Sequence, residues 1–63
     1  MKEMIVMTVP EVAKSLQLSR SKVYALIERR ELPAVRIGRN VRVLGSDLER
    51  WLEAQRQGQL GQP

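Results

Sequence analysis

Three residues, Gln17-Leu18-Ser19, are all that separate two amphipathic segments near the start of the chain. That spacing limits the fold more than any other feature. Before it, Thr8 and Glu11 stand three apart, as a capping box requires, with Pro10 in the first turn, where a missing N–H costs little. Met7 and Val12 occupy the two positions of a hydrophobic staple. Val9, Val12, Ala13 and Leu16 recur at i, i+3, i+4 and i+7, which predicts a helix over about 9–16. After the break, Ser19 is a good N-cap, and Val23, Leu26 and Ile27 share one face. A second helix is expected over about 20–30, with Pro33 opposing continuation. Two short helices so closely joined have the outline of a helix-turn-helix. Ala13 is small where the helices would cross, Val23 would plug the angle between them, and Leu18 and Leu26 complete the apolar set. The turn in such motifs often contains Gly, for a left-handed backbone. Here Gln17 holds that place.

Downstream, Ala34 to Ile37 and Val41 to Leu44 alternate with period two around Gly38-Arg39-Asn40, which predicts a hairpin. A three-residue loop would set Ile37 opposite Val41 and Val35 opposite Val43, turning all four aliphatics to the core. A two-residue loop would mix the faces, so the three-residue register is expected. It places Arg36 directly across from Arg42. Ser46 and Glu49 then form a second capping box for a third helix, with Leu48, Trp51 and Leu52 as its apolar face. Ahead of helix one, Met4 to Met7 is a short apolar lead-in, expected to be extended and laid against the core. The last residues, 57–63, are rich in Gln and Gly, lack periodicity and are expected to form a flexible tail. Residues 1–56 are therefore expected to be one domain. Its class is α+β, with two N-terminal helices, a two-stranded antiparallel wing and a C-terminal helix.

Length and composition narrow the function. A chain of 63 residues buries only about 60% of its unfolded surface, which leaves little room for a deep enzyme pocket. It has no cysteine and no histidine, so thiolate chemistry, disulfides and the commonest general base and metal ligand are missing. No enzyme, cofactor, metal or small-molecule substrate is expected. No apolar run approaches a membrane span and the start lacks a signal-peptide pattern, so a cytoplasmic protein without membrane association is expected. The net charge is +4, and its distribution is uneven. Residues 20–42 hold seven cations against Glu28 and Glu31, a local +5, whereas 1–19 balance and 43–63 sum to −1. A clustered, Arg-rich excess favours a polyanionic partner.

On a helical wheel, burying Val23, Leu26 and Ile27 leaves Ser21, Tyr24, Ala25 and Glu28 outward, flanked by Arg20, Lys22 and Arg29. Small or hydrogen-bonding residues at the centre with cations at the sides suit a major groove, where base edges lie between phosphates. On the hairpin, Arg36, Arg39 and Arg42 gather without an acid, and Asn40 adjoins them. Like charges directly opposed across a strand pair destabilise by up to about 1 kcal/mol, which a phosphate backbone would relieve. Other prominent residues have plainer roles. Trp51 is expected in the core, Met1, Met4 and Met7 as initiator and packing residues and not a metal site, and Asp47, Glu49 and Glu53 in capping and solvation.

The stretch TVPEVAKSLQLSRSKVYALIERRELPAVRIGRNVRVLGSDLERWL, about residues 8 to 52, resembles the excisionase-type, MerR-like winged helix-turn-helix family. The resemblance covers the two helices, the ELPAVRIG passage, the wing arginine Arg42 and the SDLERWL helix. It implies that the second helix enters the DNA major groove while the wing lies alongside, at the minor groove or backbone. Arg20, Ser21, Lys22 and Tyr24 are then helix contacts, and Arg36, Arg39 and Arg42 are wing contacts. The implied role is that of an excisionase, or recombination directionality factor. Such a protein binds and bends double-stranded DNA beside a recombination junction to assist a partner integrase, with cooperative self-association on adjacent sites. Full MerR regulators carry a long dimerisation helix and an effector domain after this unit. The sequence ends before either, so effector sensing is not expected. Two other roles use the same residues: a small MerR-like transcriptional regulator, and a protein-interaction module of a larger recombination complex that grips its partner through helix three and the tail.

Overall fold

The computed structural model describes residues 4–56, so the expected tail at 57–63 lies outside the described residues. The element order is β1 (Val6–Thr8), α1 (Val9–Leu16), α2 (Arg20–Glu28), β2 (Val35–Ile37), β3 (Asn40–Leu44) and α3 (Gly45–Gln55). Helix α1 starts as its capping box dictates. The Thr8 N–H donates to Glu11 Oε1 at 2.9 Å and the Glu11 N–H to Thr8 Oγ1 at 3.2 Å. Helix α2 starts with the Lys22 N–H donating to Ser19 Oγ at 3.1 Å.

Both helices end with the same device, and neither uses glycine. Gln17 takes φ 58° and Arg30 takes φ 64°. After α1, Leu18 N–H donates to the Ala13 carbonyl at 2.9 Å and Gln17 N–H to Lys14 at 3.2 Å. After α2, Glu31 N–H donates to Leu26 at 3.0 Å and Arg30 N–H to Ile27 at 3.0 Å. These paired bonds are Schellman closures, which satisfy otherwise orphaned carbonyls. The left-handed geometry expected of the turn is therefore kept with Gln17 in place of Gly. The same closure ends α2 at Glu28, short of the expected residue 30, because Arg30 has already left helical space.

The core is small and collected from every layer: Val9, Val12 and Ala13 of α1, Val23 and Leu26 of α2, Leu32, Val43 of β3 and Leu48 of α3. Leu32, which no periodicity marked, is among the most completely buried side chains at 1% exposure. It follows the α2 closure, and its N–H donates to the Leu26 carbonyl at 3.2 Å, which turns the side chain into the core. Leu18 and Leu52, both expected in apolar faces, are exposed at 36% and 44%. Trp51 packs against the core only in part.

The sheet has three strands in the order β1-β3-β2, both pairs antiparallel. The lead-in is thus a strand of its own, pairing Val6 with Leu44, Met7 with Val43 and Thr8 with Arg42. The ladder runs on into the start of α3, where the Gly45 N–H donates to the Ile5 carbonyl at 2.8 Å. A Cβ on Gly45 would stand 3.2 Å from Ile5 Cβ, so the close approach favours glycine there. Helix α3 consequently begins one residue earlier than Ser46, with Leu44 at its N-cap and no side-chain cap. The expected Ser46–Glu49 box does not form, because the strand enters the helix without a break.

The hairpin register also differs from the expected one. Val35 pairs with Arg42, Arg36 with Val41 and Ile37 with Asn40, leaving a two-residue loop, Gly38-Arg39. Gly38 has φ 63° and Arg39 does not have positive φ, the pattern of a type II′ turn with Gly at its first position. Turn chemistry fixes this register, and burial does not oppose it, because β2 packs substantially on β3 alone. The price of the tight turn is that Val35 and Ile37 lie on the face opposite Val41 and Val43, at 38% and 59% exposure.

Candidate nucleic-acid interface

Helix α2 packs on α1, and its Val23 and Leu26 are buried in the same core cluster as Val12 and Ala13 of α1. That seating leaves Arg20, Ser21, Lys22, Tyr24, Glu28 and Arg29 exposed, with Ala25 half-buried among them. The outward arc expected from the wheel is therefore present, with the small residues at its centre. Arg29 lies 3.9 Å from Glu31, but both side chains are more than half exposed, so the pair is weak. Among the described residues, Arg20 and Lys22 make no ion pair.

The wing departs from expectation. Side chains alternate across a strand, and directly paired residues share a face. Arg36 therefore shares the face of Val41, toward the helices, whereas Arg42 points to the opposite face beside Thr8 and Val35. Arg39 sits in the loop between them, next to Asn40. The three arginines do not form one surface, and the expected Arg36–Arg42 opposition does not exist. Arg36 faces Val41, and Arg42 faces Val35 and Thr8, all uncharged, so the like-charge penalty disappears. Arg42 is half-buried and its guanidinium Nη1 donates to the Val41 carbonyl at 2.9 Å, which holds the side chain against its own strand. Arg36, Arg39 and Asn40 are exposed, and none of the wing arginines is ion-paired among the described residues. The result is a finger with cations on both faces and at its tip.

Two features of this surface escaped the sequence reading. Arg30, exposed at the exit of α2, is a further cation; the local charge count included it, but the wheel did not, because a helix continued to residue 30 would turn it to the buried side with Val23 and Leu26. Ile37 is an exposed aliphatic at the wing tip. Only the Gly-Arg pair in the turn carried the signal for it.

Sequence comparison agrees with this architecture. The profile of a family described as "Helix-turn-helix domain" matches residues 6–56. The chain belongs to the helix-turn-helix domain family. Two similar proteins come from Mycobacterium tuberculosis: "Putative DNA-binding protein MT0521" of strain CDC 1551 / Oshkosh and "Putative DNA-binding protein Rv0500A" of strain H37Rv. Each is 45% identical over 47 residues, which is 75% of this chain. The match spans 60% of the length of each relative. No solved structure matches the chain significantly. Within the helix-turn-helix domain, the matched region runs from β1 to the end of α3. No helix among the described residues is long and apolar enough to cross a membrane.

An open groove of about 440 Å³ lies between the Glu31 and Pro33 connection and α3, lined there by Asp47, Arg50, Trp51, Ala54 and Gln55. None of the candidate contact residues lines it, so the groove and the cationic surface are separate features of the domain.

Proposed function

We propose that the chain binds double-stranded DNA sequence-specifically without catalysis, with α2 in the major groove and the wing alongside. We further propose the role of an excisionase that bends DNA and helps a partner integrase assemble. The observation that carries the DNA reading is the set of exposed cations on α2 and the wing that lack acid partners among the described residues. Membership of the helix-turn-helix family and the names of the mycobacterial relatives support it. The excisionase role rests on the sequence resemblance over residues 8 to 52.

The contacts follow from placement. Arg20, Lys22 and Arg29 flank the α2 arc and would meet phosphates, while Ser21, Tyr24, Ala25 and Glu28 approach base edges. A finger with Arg36 on one face, Arg42 on the other and Arg39 with Asn40 at the tip suits a groove walled by phosphates on both sides. A single module of this size buries only about 600 to 1,000 Å² on DNA. Tight binding would then need neighbouring copies or the integrase, hence cooperative binding to adjacent sites.

Salt titration tests the reading. With five to seven cations on phosphates, log K should fall with log salt at a slope of roughly −4.5 to −6. Replacing Arg36, Arg39 and Arg42 by alanine should flatten the slope by about one unit per lost contact and weaken binding almost uniformly across sequences. A slope near zero for the natural chain would refute DNA binding. The excisionase role is tested by footprinting on DNA flanking the gene, with and without a candidate integrase. Tight occupancy of one isolated site, unaltered by the integrase, would count against it.

A further inference from the structure

Glu28 is the only acid in α2, and nothing in the fold accounts for its place. It is exposed, and among the described residues its carboxylate makes no hydrogen bond or ion pair. As the last residue of the helix it sits at the negative end of the helix dipole, where an acid is mildly unfavourable. Its angular position is central. Ser21 lies seven residues earlier and so within about 20° of it around the helix axis. With Val23 and Leu26 buried, the midline of the outward arc runs through Ser21, Ala25 and Glu28. Arg20 and Tyr24 lie to one side of that line, Lys22 and Arg29 to the other.

If α2 enters a major groove on that midline, the flanking cations meet the phosphate walls and Glu28 meets base edges. A carboxylate only accepts hydrogen bonds. The major-groove edges offer two donors, the cytosine N4 and adenine N6 amino groups. Adenine places its N7 acceptor beside N6, where it would repel the second carboxylate oxygen, and guanine offers only acceptors. Cytosine is the base that satisfies an acid without repulsion. We propose that Glu28 selects a cytosine in the DNA site by accepting a hydrogen bond from its exocyclic amino group. The inference rests on the DNA-binding reading above and adds a base to it.

The test is selection from a random duplex pool by the full chain and by its Glu28→Gln and Glu28→Ala variants, with circular dichroism confirming that each is folded. The natural chain should enrich a motif in which one position demands cytosine. Glu28→Gln should convert that position to adenine, since glutamine both accepts from N6 and donates to N7. Glu28→Ala should leave it without preference. Titration on duplexes differing only at that base should show a preference on the order of ten-fold for the natural chain, reversed in the Gln variant. Removing the charge also removes a repulsion from phosphates that is the same for every sequence, so overall affinity is not the readout and only the exchange of bases supports the proposal. An unchanged motif in both variants overturns the role of Glu28 while leaving DNA binding intact. Failure of the natural chain to enrich any sequence would overturn sequence-specific recognition and this inference together, while the salt slope separately tests DNA binding itself.

Discussion

The helix-turn-helix half and the wing answer to different forces. In α1 and α2 every apolar position has a core to enter, and the caps at Thr8 and Ser19 agree with the pattern. Propensity, periodicity and burial all point to one arrangement. In the wing, β2 has no layer beneath it, so its aliphatics have nowhere to go and the turn decides. Aliphatic alternation in Val35-Arg36-Ile37 is therefore a false guide to the buried face. A hydrophobic pattern specifies a register only where something is waiting to cover it.

Substitutions can sharpen or break this contrast, beginning with the largest effect. Leu32→Ala should cost about 2–5 kcal/mol, a large part of the roughly 3–9 kcal/mol that a domain of this length possesses. Ile37→Ala, by contrast, should change stability by less than about 0.5 kcal/mol, since the side chain is already in solvent. Urea denaturation of both variants checks the pair, and equal losses would mean that β2 is buried after all. Gly38→Ala comes next. No atom lies within 4 Å of the added Cβ, so the whole effect is the left-handed backbone, about 1–2 kcal/mol. The loss should appear as disordering of wing amides in NMR spectra while α1 and α2 signals stay in place. The smallest test compares two serines. Ser19→Ala should cost about 1 kcal/mol because a formed cap is lost. Ser46→Ala should be within a few tenths, because no side-chain cap exists at α3. Thermal melts that rank them the other way would reinstate the sequence-based start of that helix.

Much of the molecule was legible for reasons particular residues make clear. The bounds of α1 followed from Thr8, Pro10 and the Val9–Leu16 repeat. The outward arc of α2 followed from three apolar positions. What was not legible depended on partners distant in sequence or on backbone conformation. Leu32 carries no periodic signal, and its burial comes from the α2 closure that precedes it. The third strand becomes visible only when Met7 meets Val43 across more than thirty residues. The misplaced start of α3 has the same origin, since the Ile5 carbonyl supplies the partner that a serine was expected to provide. For the interface, the identity of the cations was readable, but their division between two faces of the wing was not. Register alone sets it, and the Gly-Arg turn signal was outvoted by four aliphatics.

The clasp between Ile5 and Gly45 has a consequence for how the chain comes together. The two helices of the motif can meet early, because their contacts are local. The first strand must wait until residues 42 to 45 have been synthesised, since its partners lie there. Closing so long a loop is the slow, entropically costly step of assembly. Shortening the chain to begin after Met7 would therefore loosen two distant pieces at once, the central strand and the first turn of α3. Tags and fusions placed before residue 5 act on the last part of the domain to settle.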